Sequence, residues 1–138
     1  MDFVEFVSNN ALLVSGLFAS ALAVIFYELR AKSRNIGNLS APLAVQLINN
    51  GATVVDIRDA DKFATGHIGN SRNVPEKELM EKPETVTKKK KQALLICDTG
   101  ARSADCAARL RKNGADNIFS LKGGIAAWQE ENLPVVND

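Results

Sequence analysis

The chain is poor in the residues that most narrow a protein's class. Its 138 residues include two cysteines, one histidine, one tryptophan, one tyrosine and four prolines. Two cysteines are too few for a disulfide framework, and Cys97 and Cys106 lack the paired spacing of a zinc site. A reducing compartment and no metal or cofactor are therefore expected. An excess of one charge is also missing, since 17 basic residues face 16 acidic ones. Nothing in that balance favours nucleic acid as a partner. With 46% hydrophobic residues the chain is neither a disordered tail nor a collagen-like repeat.

Charge is absent altogether from one long stretch. Between Glu5 and Glu28, residues Phe6 to Tyr27 carry none, and Ala11 to Tyr27 is almost wholly apolar. At about 1.5 Å of rise per residue, roughly 20 helical residues match a hydrocarbon core ~30 Å thick. Residues 6–27 thus read as one transmembrane helix. A cleaved signal peptide is the alternative, because Ala19-Ser20-Ala21 and Ala21-Leu22-Ala23 have the small-residue form of a cleavage site. The flanks oppose it: Asp2 and Glu5 precede the run, whereas Arg30, Lys32 and Arg34 follow it. The positive-inside rule then places the N-terminus outside and the bulk of the chain in the cytoplasm. A buried core helix, the third reading, would need a larger domain around it. The expected organisation is residues 1–35 as a single-span anchor with its basic flank and residues 36–138 as one small domain.

That domain alternates helix and strand. Ser40 is a good N-cap, Pro42 falls in the first turn, and Leu43, Ala44, Leu47 and Ile48 recur at helical spacing up to Gly51. Residues 52–56 read as a buried strand, Asp59 caps a short helix ended by Gly66, and residues 69–75 form a turn, a brief strand and a break. A polar helical stretch is expected over residues 76–87. The continuous apolar run of residues 93–97 is the clearest strand, of the kind covered on both faces of a parallel sheet. Residues 102–113 form a helix with Ala104, Ala107, Ala108 and Leu110 inward; residues 117–120 form a strand, and residues 125–131 a short helix bearing Trp128. The fold class is α/β, a small, mostly parallel sheet with helices on both faces, preceded by one N-terminal transmembrane helix.

Chemistry points to the segment Cys97-Asp98-Thr99-Gly100-Ala101-Arg102-Ser103. Ligands of open α/β sheets bind at the carboxyl ends of strands, where the next helix presents unpaired N–H groups and its positive dipole end. Backbone amides there can curl around a sulfur anion, and Gly100 permits the turn. Arg102 adds a fixed positive charge. Together these stabilise a thiolate and make Cys97 a nucleophile; the bland alternative is a buried structural cysteine.

This loop resembles the active-site loop of rhodanese-like domains. So do Val55-Asp56-Ile57-Arg58, Gly66-His67-Ile68 with Asn73-Val74-Pro75, and Leu121-Lys122-Gly123-Gly124-Ile125-x-x-Trp128, in the family's order. With its anchor the chain is similar to membrane-anchored single-domain bacterial rhodaneses, which implies the bacterial inner membrane. The resemblance implies a sulfurtransferase without cofactor, in which Cys97 accepts a sulfane sulfur from thiosulfate or a persulfide and passes it to a thiol. Asp98, Thr99, Gly100, Ala101, Arg102 and Ser103 would cradle the outer sulfur. Cys97 and Arg102 are separated by four residues. Related phosphatases of the dual-specificity cell-cycle type place five there, so the spacing disfavours phosphatase activity.

Other residues carry plainer expectations. Asp98, next to the nucleophile, should discourage a dianion such as thiosulfate unless its side chain turns away. Asp56 and Arg58 join neighbouring loops rather than react, His67 sets a turn, Cys106 is a small core residue rather than a resolving thiol, and Trp128 packs the last helix. Lys88 to Lys91 is a solvated run, with contact to anionic lipid headgroups as the alternative. The short link after the anchor suggests a membrane-protein partner. Two function classes follow: a membrane-tethered sulfurtransferase, or a rhodanese-fold binding module acting on such a partner with little or no catalysis.

Overall fold

In a computed structural model, residues 2–35, 37–87 and 91–137 are described, with the side chains of 33–35 and 87 excepted. The lysines at 88–90 lie outside the described residues. The chain divides into two compact units, Met1–Ser33 and Arg34–Asp138.

The first unit is helical. Helix α1 spans Phe3–Asn9 and helix α2 spans Ala11–Asn35. Asn10 separates them, its backbone N–H and side-chain Nδ2 both donating to the Phe6 carbonyl. A polar side chain that satisfies a helix-end carbonyl competes with helix continuation, so the uncharged run is not one helix. The segment long and apolar enough to cross a membrane is Ala11–Lys32, with mean hydropathy 2.0 and none of it buried.

The second unit is a five-stranded sheet, β1(Asn38–Leu39), β2(Thr53–Asp56), β3(Arg72–Asn73), β4(Ala93–Ile96) and β5(Ile118–Leu121), in the order β1-β5-β4-β2-β3. Every pairing among these strands is parallel. The helices α3(Ala41–Asn49), α4(Ala60–Thr65), α5(Glu76–Glu81), α6(Glu84–Thr87), α7(Ala101–Lys112) and α8(Gly124–Glu130) connect and cover it. The expected polar helix over 76–87 is two helices. Pro83 lacks an N–H and forces Lys82 out of helical geometry, to φ −131° and ψ 68°. β1 escaped the pattern reading because two residues show no periodicity.

Side-chain alternation along β4 decides where the chemistry lies. Leu94 and Ile96 enter one core cluster with Ala44, Ile125 and Trp128, from α3 and α8. Ala93, Leu95 and Cys97 enter the other, with Leu79, Ala107 and Leu110 from α5 and α7. The period of two in a strand therefore aims Cys97 at the face that α7 covers. Within α7, Cys106 is buried beside Ala104, Ala107 and Leu110, while Ala108 is only half-buried.

Candidate active site

Cys97 follows β4 directly and is 1% exposed. Three residues later Gly100 takes a left-handed conformation, φ 89°, and starts α7. The turn brings two backbone donors to the sulfur: the N–H of Gly100 lies 3.0 Å from Cys97 Sγ and that of Ser103 lies 3.4 Å away. The thiol donates in turn to Ser103 Oγ at 3.3 Å, and that hydroxyl donates to the Gly100 carbonyl at 3.2 Å. Sulfur, two amides and one hydroxyl thus form a closed group at the positive end of a 12-residue helix.

The loop is held from behind by backbone alone. Ile125 N–H donates to the Cys97 carbonyl at 2.9 Å, and Ala126 N–H to the Asp98 carbonyl at 3.3 Å. Gly123 and Gly124 take φ 77° and φ 63°. A Cβ on Gly124 would overlap the Cys97 carbonyl and come within 2.6 Å of the Asp98 carbonyl; a Cβ on Gly100 would meet Gly123 N at 2.7 Å. Two glycine-bearing turns therefore pack backbone on backbone, which only glycine permits at that distance. The glycine doublet after β5 was the sequence signal for this floor, though its spacing alone did not show what it packs against.

Charged residues surround the loop in pairs. Arg58 is buried and binds Asp56 through Nε at 3.0 Å to both carboxylate oxygens and through Nη2 at 2.7 Å to Oδ2, and also donates to the Gly66 carbonyl at 2.7 Å. Asn73 Nδ2 donates to the carbonyls of Asp56 and Arg58. These groups fasten the ends of β2, β3 and α4 together, the bracing expected of Asp56 and Arg58. Asp98 Oδ2 accepts from Lys62 Nζ at 2.7 Å, while Arg58 Nη1 lies 4.0 Å from Asp98 Oδ1. Arg102 Nε donates to Glu76 Oε2 at 2.9 Å, a bond that raises the guanidinium's pKa and keeps it charged. Lys62 went unnoticed in the sequence because 36 residues separate it from Asp98.

Beside the loop lies a groove of about 540 Å³, lined by Thr99, Gly100, Ala101, Arg102, Lys122 and Gly123 among others. His67 is stacked on Phe63 with centroids 3.7 Å apart, and its Nδ1 lies 2.8 Å from the Phe63 carbonyl. That carbonyl can only accept, so Nδ1 carries a proton and the ring sets the turn between α4 and β3. Trp128 Nε1 donates to the Pro134 carbonyl at 2.9 Å and packs α8 in the core. Among the described residues no group of three His, Cys, Asp or Glu side chains is placed to hold a metal ion.

Comparison with known proteins agrees with this architecture. A family model described as the rhodanese-like domain matches residues 40–131. The uncharacterised protein YibN of Escherichia coli strain K12 is 30% identical over 138 residues, covering 98% of this chain and 96% of that protein. The thiosulfate sulfurtransferase GlpE of Ectopseudomonas mendocina is 39% identical over 93 residues, covering 66% of this chain and 83% of its own length. A crystal structure of a rhodanese-related protein from Thermoplasma volcanium superposes with a TM-score of 0.67 at 36% identity, covering 73% of this chain and 98% of that one. The chain belongs to the rhodanese-like domain family, a sulfurtransferase-type class.

Proposed function

We propose that the protein is a sulfurtransferase that carries sulfane sulfur as a persulfide on Cys97. The observation carrying this reading is the convergence of the Gly100 and Ser103 N–H groups on Cys97 Sγ at the start of α7. A thiolate there is met by fixed donors that need no rearrangement when charge develops, the arrangement by which enzymes stabilise anions.

The thiol proton leaves to solvent, and the Ser103 hydroxyl, released from accepting it, turns to donate to the sulfur anion. The thiolate attacks the sulfane sulfur of the donor. One S–S bond forms as the donor's own breaks, and thiosulfate releases sulfite. Cys97 is left as a persulfide, its outer sulfur cradled by the loop of Asp98, Thr99, Gly100, Ala101, Arg102 and Ser103. An acceptor thiolate entering by the groove beside Arg102 and Gly123 takes the outer sulfur and restores the Cys97 thiolate. Each step exchanges one bond to sulfur for another, so no electron carrier is required.

The helix Ala11–Lys32 supports a retained membrane anchor, with Arg30, Lys32 and Arg34 on the cytoplasmic side and the domain of residues 36–138 in the cytoplasm. An acceptor or partner in the membrane suits that arrangement. Full-length protein expressed in bacteria should remain in carbonate-washed membranes with its N-terminus intact; cleavage after Ala21 or Ala23 would make the segment a signal peptide. For the reaction, detergent-solubilised full-length protein given thiosulfate and a thiol should release sulfite, and Cys97→Ser should release none. Equal release by both would defeat the assignment.

A further inference from the structure

The charged groups at the mouth of the Cys97 loop suggest a device for choosing the donor. Asp98 extends from the residue next to the nucleophile, 38% exposed, and a lone carboxylate there would repel an incoming anion. It is not alone. Lys62, on α4, places Nζ 2.7 Å from Asp98 Oδ2, and α4 is fixed by the buried Arg58, which holds the Gly66 carbonyl at the end of that helix and lies 4.0 Å from the other Asp98 oxygen. Arg58 is itself committed to Asp56, and Arg102 to Glu76. Lys62 is thus the nearest cation to Asp98, and removing it leaves that carboxylate with Arg58 at 4.0 Å as its remaining cation among the ion pairs described.

We propose that the Lys62–Asp98 pair sets charge selectivity at this site, admitting doubly charged sulfur donors by cancelling the Asp98 carboxylate. This inference rests on the sulfur-transfer reading for its biological meaning. The electrostatic part stands on geometry alone. Both partners are partly exposed, Lys62 by 57%, so solvent moderates the field. A single uncancelled charge several ångströms from the reacting sulfur then changes the rate for a dianion by about three- to tenfold at low ionic strength, and by less in high salt.

Four proteins test it: the natural chain, Lys62→Ala, Asp98→Asn and the double variant, each full length and each with Cys106→Ala so that a single thiol reports. Two donors carry the same sulfane sulfur on different charge, thiosulfate as a dianion and methanethiosulfonate as a monoanion, the latter releasing methanesulfinate. The ratio of their kcat/KM values should turn against thiosulfate in Lys62→Ala by about threefold or more. It should turn towards thiosulfate in Asp98→Asn, where Lys62 is left uncancelled, and return close to the natural value in the double variant, which removes one charge of each sign. Alkylation of Cys97 by iodoacetate, an anion, relative to iodoacetamide, which is neutral, should follow the same order without any sulfur transfer. If no variant transfers sulfur, the alkylation ratio still decides the electrostatic claim while the sulfur-transfer reading falls by itself. A ratio unchanged across all four proteins, in either measurement, would overturn the role of the pair.

Discussion

Two cysteines share one core cluster and differ in nearly everything that decides reactivity. Cys97 and Cys106 are 1% and 0% exposed, and both pack on the face of the sheet that α7 covers. Cys97 stands where a strand ends and a helix begins, so its sulfur meets two unpaired amides. Cys106 stands inside that helix, where backbone donors are already used, and among the hydrogen bonds described its thiol has the Met80 thioether as partner, at 3.4 Å. Burial without donors pushes the Cys106 thiol up to about 11, with the negative charge of Glu76 adding to the effect. Burial therefore decides little by itself; the position of a cysteine relative to helix ends decides whether its sulfur meets backbone donors.

Replacing each cysteine separately should give the widest contrast. Cys97→Ser should abolish sulfur loading from thiosulfate, read as sulfite release, whereas Cys106→Ala should keep it within about twofold and lose roughly 1 kcal/mol of stability, as removal of one buried atom from a packed core does. Comparable losses from both would erase the distinction. Gly124→Ala attacks the comparison from behind the loop. Its Cβ would displace the carbonyls of Cys97 and Asp98, so stability should fall by about 2 kcal/mol or more, with sulfur loading reduced in the fraction that folds. A melting temperature equal to that of the natural chain would show that the two turns do not pack as described.

Much of this contrast was legible in the sequence. The apolar run of residues 93–97 followed by a helix-forming segment placed Cys97 at a strand end, though a run apolar throughout does not show which face the cysteine takes. Cys106 was expected in the core as a small residue rather than from the stripe of Ala104, Ala107, Ala108 and Leu110, and the structure buries it. Other features were hidden for physical reasons. The two-residue strand β1 has no period to read, and the break at Pro83 was overridden by the good helix formers around it. The halves of the Lys62–Asp98 pair become neighbours only when the parallel crossover returns the chain to the same edge, and a glycine doublet shows freedom of conformation without showing what approaches it. In the first unit, composition marked the uncharged run correctly but not the helix end at Asn10, which depends on one side-chain hydrogen bond.

A smaller effect sharpens the view of Ser103. Its hydroxyl, which accepts from the Cys97 thiol and donates to the Gly100 carbonyl, is the only side chain bonded to the Cys97 sulfur among the hydrogen bonds described. Ser103→Ala should slow loading about five- to tenfold while leaving both amides in place. Single-turnover loading rates measure it, and an unchanged rate would leave the amides as the whole cradle.

A last expected effect is on the pH dependence of stability. The Cys106 thiol titrates near 9.0 when unfolded and at about 11 when folded, so the folded state holds the proton more tightly. Stability from this source is fully present below about pH 9 and is lost as the pH rises through about 11. Denaturation midpoints measured across that window should decline in the natural chain and decline less in Cys106→Ala. Parallel curves would mean that Cys106 is better solvated than its surroundings indicate.

The central claim is that Cys97 holds a transferable sulfur. Full-length protein incubated with thiosulfate, and separately with glutathione persulfide, then weighed intact, tests it most directly. The account predicts a gain of one sulfur atom that is absent in Cys97→Ser, retained in Cys106→Ala and removed by an added thiol. A folded protein that gains no sulfur from either donor, or gains it equally without Cys97, would contradict it.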